Sequence, residues 1–262
     1  MADNETFFAF AIETARRAGA VIRAGAQRPI DVRSKGLRDL LTDVDLAAER
    51  TIVEAIGRRY PDHDVLTEET PPEQRTSRYQ WIIDPLDGTT NYIHGVSPFS
   101  ISIALQEKDE LISGIVYEPI QKECFYSWAH APAYLNGDEI RVSGKKELSE
   151  TLIATGFPYT DFSRIDEYMG SLRRFMESSH GVRRLGSAAI DLAYVACGRY
   201  DAFYEYHLKP WDVAAGTVLI RQAGGKVCDF NGGSDFLFGE NYVGTNSDCH
   251  DEFMRVIKHY FK

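Results

Sequence analysis

The densest set of groups able to do chemistry lies in Trp81-Ile82-Ile83-Asp84-Pro85-Leu86-Asp87-Gly88-Thr89-Thr90-Asn91-Tyr92. An apolar run leads into Asp84, Pro85 turns the chain, and Asp87 follows three residues later, so two carboxylates can point at one spot. The Leu86 carbonyl in the same turn offers a third oxygen. Oxygen-only donors of this kind suit Mg²⁺, which binds through one or two carboxylates and keeps several waters. Gly88-Thr89-Thr90 then offers open backbone N–H groups and hydroxyls at a helix start, where orphan donors favour an anion. Cation ligands followed directly by an anion cradle are the layout of phosphoryl transfer. The same D-P-x-D-G run also reads as a surface turn, because Asp, Pro and Gly are the commonest turn formers. The threonines and the apolar run before it weigh against that reading.

Three further places supply carboxylates. Glu68 and Glu69 follow Asp64-Val65-Leu66-Thr67, a short strand before a polar, Pro-containing loop from Thr70 to Arg78. Asp43 and Asp45 open a helix, where capping is the ordinary use of such residues. Asp212, in Trp211-Asp212-Val213-Ala214-Ala215-Gly216, precedes small residues that let a helix pack closely, and it too reads as a cap in isolation. Rival signatures are weaker. Cys249 and Arg255 hold a C-x5-R spacing, but the HDEFM between them has no glycine to form a phosphate loop. Asp43-Val44-Asp45 has no strong strand before it, as a nucleophilic D-x-D would. Arg183-Arg184 could serve as a phosphate or interface contact, with a solvated or dimer-interface pair as the default reading.

The elements that must position these groups follow from periodicity. Helical spacing runs over Asn4–Ala26 and from near Val44 to Arg59, ending before Tyr60-Pro61. From Tyr79 to Ser127 the pattern turns to strands: WIID, FSISIALQ, LISGIVYEP and ECFYSW. FSISIALQ alternates with period two, which predicts a half-buried strand. After about Lys145 strand and helix alternate: TLIATGF, a helix over Ile165–Glu177, another over Ser187–Ala196, and DAFYEY. A helix over Val213–Ala223, a short VGT strand and a helix over Asp248–Tyr260 complete the chain. The first half therefore reads as α+β and the second as α/β, with a boundary near Gly144.

Composition sets the frame. The 262 residues, 44% hydrophobic and 26% charged, can bury a sizeable core. Long disorder, collagen and coiled coil are excluded. No apolar run reaches the roughly 18 to 20 residues that span a bilayer. Asp3 and Glu5 stand where a secretory signal would carry Lys or Arg, so a soluble cytoplasmic protein is expected. Lys plus Arg number 29 against 39 Asp plus Glu, a net charge of -10 whose averaged field repels nucleic acid and anionic membrane. A protein of this charge that handles phosphates needs a local basic pocket or bound cations. The four cysteines show no C-x-x-C spacing, so neither a zinc site nor a disulfide frame is expected.

At this point the chain resembles the inositol monophosphatase family of Mg²⁺-dependent, lithium-sensitive phosphatases, over essentially its whole length. W-I-I-D-P-L-D-G-T-T-N-Y-I-H (Trp81 to His94) and W-D-V-A-A-G-T-V-L-I-R-Q-A-G-G (Trp211 to Gly225) carry the resemblance. L-T-D-V-D (Leu41 to Asp45), T-E-E (Thr67 to Glu69) and L-G-S-A-A (Leu185 to Ala189) stand before and between them. The resemblance implies an α+β fold: a layered αβαβα sandwich of the sugar-phosphatase type, one unit over 1–262. Within it an N-terminal α+β subdomain would cover about 1–144 and a C-terminal α/β subdomain about 145–262. It also implies a homodimer and two or three Mg²⁺. Glu68, Asp84 and the Leu86 carbonyl would hold a first metal, and Asp84, Asp87 and Asp212 a second. Glu68, Asp45 and Thr89 form the implied catalytic set, with Asp45 and Thr89 orienting the attacking water. Gly88, Thr89 and Thr90 would hold the phosphate, beside Asp87 and Asp212. Gly186, Ser187, Ala188 and Glu205 would line the alcohol side, and Lys35 would lie near a mobile loop.

In such a site two cations roughly 3.5 to 4 Å apart stabilise the entering and leaving oxygens of an in-line displacement, so no protein nucleophile is needed. The implied substrate is a small polyol phosphate, myo-inositol 1-phosphate first. Fructose 1,6-bisphosphate, histidinol phosphate, 3'-phosphonucleotides and NADP are the alternatives on the same metal core. The alternative of another class is a non-catalytic regulatory binding protein.

Overall fold

The structure is a computed structural model that describes residues 2–28, 31–36, 39–71, 74–159 and 161–262, with the side chains of 2–5, 34–36 and 39 left out. The expected Lys35 side chain, and Pro72 of the Pro-containing loop, lie outside the described residues.

Helix α1 (Ala2–Gly25), the hairpin β1 (Val32–Gly36) and β2 (Asp39–Thr42), and α2 (Asp43–Arg59) lead into seven strands. These are β3 (Asp64–Thr67), β4 (Tyr79–Asp87), β5 (Ser100–Glu107), β6 (Glu110–Glu118), β7 (Glu123–Trp128), β8 (Ala133–Leu135) and β9 (Asp138–Ile140), with the short α3 (Thr89–Ile93) between β4 and β5. They form one sheet in chain order, β3 parallel to β4 and the rest antiparallel. The second sheet, in the order β11-β10-β12-β14-β13, is built from β10 (Leu152–Thr155), β11 (Gly181–Arg183), β12 (Ala202–Tyr206), β13 (Lys226–Cys228) and β14 (Asn241–Thr245). Helices α4 (Ile165–Ser178), α5 (Ala188–Ala196), α6 (Pro210–Gln222) and α7 (His250–Tyr260) complete the fold.

Alternate side chains of β4 to β7 feed two different cores, because successive strand residues face opposite ways. Trp81, Ile83, Ile101, Ile103, Leu105 and Ile115 pack under α1 and α2. Ile82, Ala104, Val116 and Phe125 face the other way, onto α5 and α6. That middle helical layer also covers the inner face of the second sheet through Ala154, Phe203 and Tyr242. A third core of Phe175, Tyr204, Val243, Phe253 and Ile257 joins α4 and α7 to the outer face. Five layers alternate as helix, sheet, helix, sheet, helix, as the αβαβα expectation has it.

Three local expectations are corrected. Strand β5 is buried along nearly its whole length instead of on one face. Its small serines allow the close approach: the Ser102 hydroxyl donates to the Trp211 carbonyl at 3.0 Å, so the polar face is hydrogen-bonded under α6. Helix α6 starts at Pro210, earlier than the Val213 that apolar spacing predicts, because proline at the first turn loses no hydrogen bond. The third concerns the α/β reading of the second half: its strands and helices alternate as expected, but its sheet is mixed, with β10 parallel to β11 and β12 and with β12-β14 and β13-β14 antiparallel.

Candidate active site

Asp84 and Asp87 owe their convergence to a bulge, and here the expected turn is corrected. In a regular strand residues three apart face opposite sides. Strand β4 continues through Pro85, and its register against β5 slips: Asp84 pairs with Ser102 and Asp87 with Ser100, leaving Pro85 and Leu86 opposite Ile101. One extra residue restores the phase, so both carboxylates face the same way. Proline suits the bulge because it has no N–H to lose from the ladder. Parallel pairing of Thr67 with Ile83 sets Glu68 abreast of Asp84. Asp212 arrives from α6, at the third helical position, where its Oδ2 accepts the Lys209 N–H at 2.7 Å.

Asp84, Asp87 and Asp212 each bring a carboxylate oxygen within 4.8 Å of the others. Asp84 Oδ1 accepts the Leu86 N–H at 2.9 Å, which fixes its rotamer. Asp87 Oδ2 accepts the Ser187 hydroxyl at 2.5 Å and the Ala189 N–H at 2.8 Å, so the first turn of α5 holds it. Burial, and then the charges of Glu68, Asp87 and Asp212, push the Asp84 carboxyl well above the usual range. Burial raises Asp87 as well, against the hydrogen bond from Ser187. Burial and then Asp87 push Asp212 up to about 7.

Behind this cluster Asp45 is fully buried on α2, and burial raises its pKa. It completes a capping box with Thr42. Its other oxygen, Oδ1, lies 3.0 Å from Thr89 Oγ1, which is also 3.0 Å from the Leu86 carbonyl oxygen. Capping and a place beside the site are thus both true of Asp45. Gly88 caps the short α3, and Thr89 and Thr90 open it.

A cleft of about 370 Å³ opens over these groups. Glu68, Asp87, Gly88, Thr89 and Thr90 line it together with Gly186, Ser187, Ala188, Glu205 and Asp212. Asp84, Leu86 and Asp45 are buried and do not line it. Glu205 is held in a notch in the backbone: a Cβ added at Gly156 would fall 2.0 Å from its carboxylate. Gly156 directly follows β10 and Glu205 is the penultimate residue of β12, so the pair sits at the carboxyl ends of two parallel strands. Burial, then Asp212, push the Glu205 carboxyl well above its usual range.

Sequence reasoning missed several wall residues. Asp191 is 1% exposed on α5, one helical turn after Ser187, and its Oδ1 has no hydrogen-bond partner among the described residues. The i, i+4 spacing from Ser187 was a usable signal. Arg184 lines the cleft, as its phosphate-contact alternative has it and its default solvated or interface reading does not, with its guanidinium 5.5 Å from the Phe157 ring and 5.3 Å from the Tyr159 ring. Cys249, of the rival C-x5-R spacing, is buried, and burial pushes its thiol up to about 12, so it is no thiolate.

The donor set fits hard divalent cations. Five acidic residues line the cleft (Glu68, Asp87, Asp191, Glu205 and Asp212), against the cations Arg184 and Lys209, and Lys209 is already paired with Glu240. A phosphate would be repelled from this surface unless cations came with it.

Five alternating layers, with an oxygen-only cluster where strands of both sheets end, define a sandwich of the sugar-phosphatase type. The family model described as "Inositol monophosphatase family" matches residues 3–260, and the chain belongs to this family. A protein of Pseudomonas aeruginosa named Nus factor SuhB is 42% identical over 255 residues, 95% of this chain and 94% of the relative. The structure of the extragenic suppressor protein suhB from Bartonella henselae superposes with a TM-score of 0.93 at 35% identity, covering 97% of this chain and 98% of that one. The Thermotoga maritima IMPase superposes with a TM-score of 0.88 at 36% identity, over 96% of both chains. No helix among the described residues is long and apolar enough to cross a membrane.

Proposed function

We propose that this protein is a Mg²⁺-dependent phosphomonoesterase acting on a small polyol phosphate, myo-inositol 1-phosphate first, by direct attack of water. The observation that carries the reading is the Asp84–Asp87–Asp212 cluster with the Thr89–Asp45 pair at its edge, opening on the cleft that also holds Glu205. Glu68, Asp84, Asp87, Asp212 and the Leu86 carbonyl would hold the ions. Bound Mg²⁺ supplies Lewis-acid charge to the phosphoryl oxygens and acidity to water. The remaining work falls to the chain. With its hydrogen directed at Asp45 Oδ1, the Thr89 hydroxyl keeps lone pairs free to accept a proton from the attacking water. Asp45, raised by burial, is a better proton acceptor than an exposed aspartate would be. The backbone at Gly88 and Thr90 holds the phosphate, and Glu205 faces the hydroxyls of the alcohol portion. A homodimer belongs to the same reading, and size-exclusion chromatography with light scattering tests it.

The Pseudomonas aeruginosa relative is a Nus factor by name, which supports a second reading, in which this chain also works as a Nus factor. The intact carboxylate set favours hydrolysis, since a site that has lost its chemistry tends to lose a ligand.

The test is phosphate release from inositol 1-phosphate, fructose 1,6-bisphosphate, histidinol phosphate and 3'-phosphoadenosine 5'-phosphate, with Mg²⁺ titrated in and lithium added last. Magnesium-dependent, lithium-inhibited release led by inositol 1-phosphate is expected. Release led by another substrate overturns the substrate and keeps the metal site. No release from any of them leaves the Nus-factor reading.

A further inference from the structure

Helix α2 carries a second buried carboxylate one turn after Asp45. Glu49 is 6% exposed, and residues four apart share a helix face. Its two oxygens accept three hydrogen bonds, all from the segment around Glu68. Thr67 Oγ1 donates to Oε2 at 2.7 Å, the Glu69 N–H donates to Oε2 at 3.1 Å, and Thr70 Oγ1 donates to Oε1 at 2.5 Å. These donors flank Glu68 on both sides. Beyond Thr67 the sheet no longer fixes the backbone, since β3 ends there and pairs only with β4. The backbone that carries Glu68 is therefore held from both sides by what grips Thr67, Glu69 and Thr70.

We propose that Glu49 is a positioning residue that aims Glu68 at Asp84. On this account α2 braces the site at two points, Asp45 gripping Thr89 and Glu49 gripping the Glu68 turn. The short, charge-assisted bonds to a buried carboxylate suit that task, because their loss leaves both the donors and the turn unsupported. Partners that orient metal ligands change affinity by about 10- to 100-fold when removed. The inference rests on the Mg²⁺ reading of the cluster, and the experiment separates the two.

Mg²⁺ alone is titrated calorimetrically into the full chain and into Glu49→Ala, Glu49→Gln and Thr70→Val. Hydrogen exchange is followed at the amides from Glu68 to Thr70. The wild type is expected to bind Mg²⁺, and Glu49→Ala to bind about 10-fold or more weakly with faster exchange in that turn. Glu49→Gln, which keeps one accepting oxygen, recovers most of the affinity. Thr70→Val, altering one exposed donor, weakens binding in the same direction without lowering Tm. In turnover the loss falls on the Mg²⁺ concentration needed for half-maximal rate far more than on kcat at saturating Mg²⁺. Wild-type affinity in both Glu49→Ala and Thr70→Val overturns the role of Glu49 alone. A wild type that takes up no Mg²⁺ overturns the metal reading and this inference with it. If Glu49→Ala does not fold, Thr70→Val decides: unchanged affinity and unchanged exchange sink the proposal.

Discussion

At Asp87 one carboxylate answers two demands: it accepts hydrogen bonds from the first turn of α5 and contributes charge to the cluster. Asparagine keeps an accepting oxygen but removes the charge. Asp87→Asn is therefore expected to fold with a Tm near wild type and to lose kcat by about a hundredfold or more, the scale of several kcal/mol of metal-borne charge stabilisation. Near-wild-type turnover on a phosphate monoester would refute the cation reading of the cluster. Glu205 acts on a different part of the substrate. Glu205→Ala is expected to cut kcat/KM for inositol 1-phosphate by about 10- to 100-fold, one charged hydrogen bond's worth, and to spare an aryl phosphate without hydroxyls. Gly156→Ala should reproduce that selectivity, because its methyl group would occupy the notch that holds the Glu205 carboxylate. Equal losses on both substrates would place Glu205 in the framework and not in recognition. Asp84 and Asp87 stood out by residue type and spacing, whereas Glu68 and Asp212 were singled out only by the family resemblance, since Asp212 alone reads equally well as a helix cap. The Asp84–Asp87 bulge was not legible, because proline and a following glycine serve a turn equally well. Asp191 and Glu49 stayed hidden because a single acid within a helix looks like solvated surface until its neighbours are known.

Among the elements, the helices were read to within a few residues because three to six turns of apolar spacing repeat the signal. Strands β8, β9, β11 and β13 have three residues each, too few for period two to register. Strand β5 was placed correctly but given the wrong burial, since serine under a helix looks the same in sequence as serine facing water. The layer contact that buries it is tight. A Cβ on Gly114 of β6 would lie 2.5 Å from the Ala215 carbonyl oxygen and 2.9 Å from Val218 Cβ. Gly114→Ala must push α6 away from the sheet, and α6 carries Asp212. Overpacking of this kind costs about 1 to 3 kcal/mol, or a Tm lower by roughly 2 to 9 °C in a chain of this size. Differential scanning calorimetry checks the loss, and a Mg²⁺ titration checks the displaced Asp212. Unchanged Tm would mean that the two layers have slack that the geometry does not show.

On the scale of the whole molecule, the chain carries an excess of ten negative charges, and five of its acidic residues line one cleft. Without cations, burial and mutual repulsion bias the cluster acids toward their protonated forms. Asp212 titrates near 7 in the folded chain, raised by burial and by Asp87 from an ordinary 3.8. Burial raises Asp84 and Asp87 in the same direction. The sign follows from proton counting: a folded-state pKa above the unfolded one means that the native state binds more protons between the two values. Below about pH 4 both states are protonated and the cluster costs nothing. As pH rises from about 4 toward 7 the unfolded chain gives up protons that the native cluster retains, and folding stability falls. Mg²⁺ reverses this by pairing with the ionised form. The Tm of chelator-treated protein is thus expected to decline from pH 5 to pH 8, and saturating Mg²⁺ to flatten the decline. At a hundred times its dissociation constant the ion contributes about 2.7 kcal/mol, so the gain in Tm should be roughly 5 to 10 °C at pH 8. At pH 5 it should be much smaller, because protons and Mg²⁺ compete for the same oxygens. A Mg²⁺-induced shift that is equal at both pH values, or larger at pH 5, would show that the ion stabilises the chain somewhere other than this cluster.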